Sequence, residues 1–427
     1  MINDDKELKK ERSLHEYCRN ATNKEGDTFV GIKSEIKNEI NEISISFPIG
    51  FNLPDNEEDA REDILLLIES LQKYKEESFN IAQHELEQKL KVQEFPINAY
   101  LTVISDYYRR KGYYKETEDV YVRRRSGKIN YNKTIKKKKA IALVQGFAYL
   151  NNQVRKRNDS DKDLITKINQ YCVYESFIKI GWLYTKFLPP KPLVENYNNI
   201  FQAELIKKLN STYKDNDRIL FQSMLDILNY KDIVDNKEKF YFGTNNFECI
   251  WENLIENVFG IKNKEKYFPR TYWKLNRNEK YKNMALEPDT IMLCNGNIFV
   301  LDAKYYKFGV TGNPLHLPNS SSINKQITYG EYIAKSDKFI FDRKKGMNTY
   351  NAFLMPYNKN YNMFTNKKKD YLGIGEAIGE WKNSNYDYEH VIGILVDVKT
   401  IMSIRTKYNK SEMRKLSEEI INQLNKK

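Results

Sequence analysis

Cysteine is scarce in this 427-residue chain, and Cys18, Cys172, Cys249 and Cys294 form no CxxC pair. The four histidines, His15, His84, His316 and His390, are just as dispersed. A zinc site needs about four such ligands, usually in close pairs, so zinc fingers and zinc deaminases are excluded. His-centred nuclease motifs lack their residues too. So few thiols in so long a chain fit a reducing cytoplasm. Long apolar runs are also missing. The longest helix-like uncharged stretch, 140–150, is about half the ~20 residues of a membrane span. Residues 1–6 carry no apolar segment, so neither a secretory signal nor a membrane partner is expected. No GxxxxGK[ST] phosphate loop occurs, because Gly127-Lys128 lacks the upstream glycine. Gly373-Ile374-Gly375 is followed by Gly379 rather than a glycine at 378, so the dinucleotide fingerprint fails as well. Those glycines read as part of a strand. The chain itself is expected to bind no nucleotide.

What the chain has is positive charge: 70 Lys and Arg against 58 Asp and Glu, a net +12. That favours a polyanionic partner. Hydrophobic residues at 40 % and aromatics at 13 % supply real cores, and the length suggests roughly two or three domains. The charge is uneven. Arg123, Arg124, Arg125, Lys128, Lys133, Lys136, Lys137, Lys138 and Lys139 give nine cations and no acid between 123 and 139. Such a run can displace counterions from a DNA backbone; the plainer alternative is a solvated basic face.

Three regions follow from the patterning. Residues 1–75 form an N-terminal β/α region: 29–32 and 43–47 read as strands and 59–74 as an amphipathic helix. Residues 76–239 read as mainly helical, including periodic apolar positions at Ile141, Leu143, Val144, Phe147 and Leu150. Pro189, Pro190 and Pro192 interrupt that region. From about 240 the order is a helix (247–259), two strands, a helix (323–333), a strand (352–355) and a late strand (391–396). The fold class is α/β, with a mixed central sheet flanked by helices in 240–427.

The chemistry concentrates in that last region. Asn295-Gly296 is a tight-turn signal between two apolar strands, which makes 289–304 an antiparallel hairpin. Asp289 enters its first strand; Asp302 and Lys304 leave the second. A hairpin returns its far end to its near end, so Asp289 and Asp302 become neighbours. Asp302 and Lys304, two apart, share a face. Two carboxylates at one edge suit Mg²⁺, or Mn²⁺ in its place. The metal polarises a phosphodiester and acidifies a bound water. Lys304 orients or deprotonates that water, or stabilises developing charge. Asp-x-Lys alone is weak, since Asp4-Asp5-Lys6 matches it too. The strand context and the upstream Pro288-Asp289 give it weight.

Pro288-Asp289 and Asp302-Ala303-Lys304 resemble the PD-(D/E)xK nuclease superfamily. The resemblance implies a core sheet with flanking helices, phosphodiester hydrolysis by a divalent metal, and 5′-phosphate and 3′-hydroxyl products. It implies a glutamate on the preceding helix at the metal. Glu252, in Ile250-Trp251-Glu252, fits that pattern better than Glu248. The Ala303 carbonyl is a further expected ligand. Gln326 and Tyr329 stand where the superfamily places a Gln and a Tyr near the site and the DNA, with Tyr332 a substitute for Tyr329, although the usual spacing is QxxxY. Longer stretches narrow the resemblance: 47–51, 60–67, 127–131, 301–306 and 392–397 look like the LlaJI family of restriction endonucleases. The 127–131 stretch is also similar to a segment of McrC-type subunits, which work with a McrB-like AAA+ GTPase. The resemblance therefore implies a prokaryotic, cytoplasmic restriction subunit that cuts double-stranded DNA in defence against foreign DNA. Such a system includes a GTPase partner and a cognate methyltransferase. Self-association stays open. So do two rivals: a repair or recombination nuclease on the same core, and a non-catalytic DNA-binding scaffold of an NTPase complex.

Overall fold

The structure is a computed structural model. It describes residues 13–37, 40–81, 95–124, 127–137, 139–143, 146–149, 152–159, 163–193, 198–233, 240–276, 279–340, 344, 346–382 and 385–426. The chain divides into two compact units, Met1–Leu90 with Glu238–Lys427, and Lys91–Lys237.

The first unit holds two sheets. The larger runs Thr290–Cys294, Asn297–Ala303, Thr349–Tyr357, Val391–Asp397, Tyr371–Ala377 in spatial order. Its first and last pairings are antiparallel and the inner two parallel. The α/β class with a mixed central sheet is therefore correct. Thr349–Tyr357 is buried along its whole length, as a strand between parallel neighbours and covered on both faces should be. The hairpin turn forms as its dipeptide requires, with Asn295 at φ 51° and Gly296 at φ 80°. Phe247–Phe259 is a helix whose stripe of Phe247, Ile250, Trp251, Leu254, Ile255 and Val258 is buried. The helix Ser320–Lys335 starts at Asn319, whose side chain accepts from the Ser322 N–H at 3.0 Å.

The smaller sheet pairs Cys18–Asn20, Ile40–Phe47, Val30–Lys37 and Phe240–Thr244 in that order. The N-terminal region and the C-terminal one, read from the sequence as separate pieces, are thus joined: Val30–Lys37 pairs antiparallel with the strand that leads into the Phe247–Phe259 helix. The 47–51 stretch also gains a physical reason. The Tyr305 hydroxyl accepts from the Ile49 N–H at 2.8 Å. Gly50, at φ 75°, lies so close to the Tyr357 backbone that a Cβ would fall 2.9 Å from its Cα. Only glycine meets both demands.

The second unit has a helical core from Ile97–Arg110, Leu164–Ile180, Asn198–Ser211 and Asp215–Ile233. It is not helical throughout. The 141–150 stretch, read as helix, contains the paired strands Ile141–Leu143 and Gly146–Ala148. Gly146, at φ 142°, is unfavourable in a helix, and a short apolar run does not separate helix from strand by period alone. Thr117–Arg124 pairs antiparallel with Asn152–Asp159. Between them the basic run forms the short helix Tyr131–Lys137. Asn130 accepts from the Lys133 N–H at 3.0 Å, and the helix's buried Thr134 accepts from the Gln153 N–H at 2.9 Å. Gly127 abuts Val154, where a Cβ would lie 2.5 Å from Cγ1. Among the described residues, no helix is long and apolar enough to cross a membrane.

Candidate active site

The hairpin register sets Thr290 opposite Leu301, which brings the Asp289 end to the Asp302 end. The Asp289 Oδ2 accepts from the Ala303 N–H at 3.1 Å. Lys304 Nζ lies 2.8 Å from Asp302 Oδ1. The three residues expected to gather therefore do, and Asp302 and Lys304 share a face.

Their electrostatics follow from crowding. Asp302 is only 7 % exposed. Burial pushes its carboxyl up to about 7, the adjacent Asp289 adds to the rise, and Lys304 partly opposes it. For Lys304, burial works downward, but Asp302 and then Asp289 outweigh it, so its pKa is raised and the ammonium persists. The Lys304 ammonium is the group that meets the buried Asp302 Oδ1, which has no other partner among the described residues. Thr290 Oγ1 and Gln326 Oε1, on the same hairpin and the helix against it, have no hydrogen-bond partner among the described residues.

Two contacts fix the approach to Asp289. Tyr329 donates its hydroxyl to the Glu287 carbonyl at 3.1 Å. Lys264 donates to the Asp289 carbonyl and also forms an ion pair with Glu256 at 3.4 Å. Buried Pro288 is thus held by the carbonyls on either side of it. Lys264 was invisible to sequence reasoning, since nothing in its local pattern announces a tertiary reach to the hairpin. Tyr329, expected near DNA, is instead 2 % exposed and packs with Ile291, Val300 and Ile333. Its helix face points into the core, which is why it offers no free surface. Gln326 is fully buried and donates to the Val300 carbonyl at 2.7 Å. It braces the strand that carries Asp302.

The helix carboxylate is distinguished by its surroundings. Desolvation raises the Glu252 pKa although the residue is exposed, Asp289 raises it further, and Lys304 opposes. Both glutamates act on Cys249 and Tyr74, and Glu248 also acts on Glu252 and Tyr305, but it is Glu252 that feels Asp289 and Lys304. Glu252 is therefore the one that shares the site's charge. Its neighbour Trp251 is fully buried and donates its indole N–H to the Leu354 carbonyl at 3.2 Å. The Lys304 backbone N–H uses that same carbonyl at 2.9 Å. One oxygen thus sets the helix bearing Glu252 against the strand end bearing Lys304. Trp251→Phe keeps an aromatic ring but loses this anchor. It is expected to cost about 1–3 kcal/mol in thermal melting. Unchanged melting would show that the indole hydrogen bond contributes nothing there.

Among the described residues, no three His, Cys, Asp or Glu side chains converge on a common cation position. The residues present offer two carboxylates and the Ala303 carbonyl beside them. That donor set fits Mg²⁺, which commonly takes one or two carboxylates and completes its shell with water and substrate oxygens. Of the basic run, Lys128, Lys133, Lys136, Lys137 and Lys139 are exposed. Arg123 and Arg124 lie on the strand Thr117–Arg124, described by its backbone. Arg125 and Lys138 fall outside the described residues.

Residues 29–399 match the family described as LlaJI restriction endonuclease. A comparison with curated proteins returns no match. Among solved structures, the chain is similar to the one described as a refined half-complex from the tetradecameric assembly of Thermococcus gammatolerans McrB AAA+ hexamers with bound McrC. The identity is 13 % and the TM-score 0.35, over 92 % of this chain and 82 % of that one. A likeness that loose carries no argument about fold or partner.

Proposed function

The chain belongs to the LlaJI restriction endonuclease family, and from that premise we propose that it is the DNA-cleaving subunit of a restriction system, hydrolysing double-stranded DNA with Mg²⁺. The observation that carries this reading is buried Asp302 beside half-buried Asp289, with Lys304 2.8 Å from Asp302. Asp289, Asp302 and the Ala303 carbonyl would hold the metal, with Glu252 at the margin. When bound, Mg²⁺ supplies Lewis-acid polarisation of the phosphodiester and a more acidic water. Mn²⁺ is the expected replacement.

The protein's own residues do the rest. Lys304, whose pKa is raised by Asp302 and Asp289 in the metal-free protein, would donate to the non-bridging oxygens as charge builds on phosphorus. It also orients the attacking water. Tyr329, Lys264 and Gln326 keep the two strand ends from moving apart. The products carry 5′-phosphate and 3′-hydroxyl ends. The basic residues of 123–139 provide a sequence-independent hold on the DNA backbone. A McrB-like AAA+ GTPase completes the system, which accords with the 127–131 segment and with the missing phosphate loop, and a cognate methyltransferase protects host DNA.

The test is plasmid cleavage by the full chain with Mg²⁺ or EDTA, with and without an AAA+ GTPase encoded beside it plus GTP, on methylated and unmethylated DNA. Nicked or linear products that depend on Mg²⁺ are expected. No cleavage under any of these conditions overturns the reading and favours a non-catalytic scaffold.

A further inference from the structure

Between the Phe247–Phe259 helix and Asp289 the chain forms a two-stranded ribbon, Arg270–Lys274 paired antiparallel with Lys280–Ala285. It belongs to neither larger sheet. Its strands are exposed at every described position but Ala285, which is half-buried. A two-stranded ribbon without a packed face is marginal in water by itself, so its exposure calls for a partner.

Its two faces differ in chemistry. Residues directly opposite one another share a face. Lys280 opposes Lys274 and Lys282 opposes Tyr272, so one face carries three lysines and a tyrosine. Lys280 Nζ lies 5.1 Å from the centre of the Tyr272 ring on that face. Tyr281 opposes Trp273 on the other face, beside Asn283, which donates to Thr271 Oγ1 at 3.0 Å. Trp273 is 65 % exposed and Tyr281 51 %. Among the described residues, no carboxylate lies within ion-pair reach of Arg270, Lys274, Lys280 or Lys282. Uncompensated cations on one face and exposed aromatic rings on the other, where Tyr281 donates its hydroxyl to Glu279, match a polyelectrolyte that also has flat apolar surfaces. Lysine is depleted in protein–protein interfaces, so the three lysines on one face favour a polyanion over a protein partner.

Its position is set by the chain. The Leu286 N–H donates to the Pro269 carbonyl at 2.9 Å, closing the base of the ribbon. Glu287, Pro288 and Asp289 follow directly, so the base lies within about 14 Å of Asp289 along the chain. Strands of five or six residues reach roughly 17–20 Å outward. We propose that the ribbon is a DNA-contacting arm of the active site, lying edge-on in the major groove next to the scissile phosphate. Its lysine face tracks one phosphate strand, and Trp273 with Tyr281 pack on sugars and base edges. A sheet about 10 Å thick fits a major groove about 12 Å wide but not a minor groove of about 6 Å. The inference rests on the nuclease reading for its substrate.

Binding without cleavage isolates it. The full-length wild type, in EDTA, is titrated into a fluorescently labelled mixed-sequence duplex of about 30 bp, at salt from about 50 to 200 mM. Lys274→Ala/Lys280→Ala/Lys282→Ala is expected to weaken binding at least tenfold and to lower the slope of log Kd against log[salt] by about 2–3. Trp273→Ala/Tyr281→Ala is expected to weaken it about 5- to 50-fold with the slope unchanged. Both variants should melt with the wild type, because the replaced side chains lie outside the core. Variants that bind and cleave as the wild type does overturn the arm, as does a wild type with no measurable affinity for the duplex at the lowest salt. Failure of the nuclease reading is separate: it is the absence of plasmid cleavage with Mg²⁺.

Discussion

Asp302→Asn leaves the protein folded, raises its melting temperature in EDTA at pH 8, and lowers DNA cleavage by about 10³-fold or more. The two halves of this result have one cause. Asp302 is a carboxyl held 7 % exposed next to another carboxylate, with a pKa pushed up to about 7. In the unfolded chain the same group titrates near 3.9. Between those values the folded protein binds a proton that the unfolded chain has released. Metal-free stability therefore falls as pH rises through this window, and above about 7 the loss is complete. The difference is at most about 4 kcal/mol, and less where Lys304 offsets the charge. Asparagine resembles the protonated acid, so the variant escapes the loss. Melting curves in EDTA at pH 5 and pH 8 should show the wild type losing several degrees relative to the variant. Mg²⁺ acts in the opposite sense, because it needs both carboxylates charged. It should raise the wild-type melting temperature more at pH 8 than at pH 5, and leave the variant unmoved. A variant that melts below the wild type at pH 8, or keeps its cleavage, would refute the assignment of Asp302 as a strained metal ligand.

This site was legible in the sequence because its information is local. Asn295-Gly296 dictates a turn, the turn dictates a hairpin, and the hairpin brings Asp289 to Asp302. The Phe247–Phe259 helix was equally plain, since six apolar residues repeat at helical spacing. What escaped was long-range or off-pattern. The pairing of Val30–Lys37 with Phe240–Thr244 joins segments some two hundred residues apart, and no local period encodes it. The Tyr371–Ala377 strand showed only its glycines. The basic–aromatic ribbon mixes cations with rings instead of alternating apolar with polar residues, so a search for buried faces passes over it. The same limit explains Gln326 and Tyr329. Their positions on a helix could be inferred, but whether that face met solvent or the Val300 strand depends on packing, which made Tyr329 a core residue.

On the proposed nuclease reading, Lys304 acts through its charge. Its ammonium is half-buried, faces two carboxylates and has a raised pKa, so at neutral pH it carries charge rather than accepting a proton. Lys304→Met keeps the length of the stem and removes the charge. The expected result is a fall in kcat of about 10²- to 10³-fold, the scale of losing one preorganised donor to a developing charge. KM for DNA and the Mg²⁺ concentration giving half-maximal rate should change less than about threefold, because the phosphate grip and the carboxylates remain. Lys304→Arg restores a donor of the same charge with a longer, planar head. It should recover part of the rate, whereas Lys304→Gln, a neutral donor, should recover almost none. A general base predicts another pattern: arginine, which does not deprotonate in proteins, would be as inactive as methionine. Single-turnover cleavage by the four proteins therefore separates a charge-stabilising lysine from a proton-accepting one, and the ion pair to Asp302 favours the first.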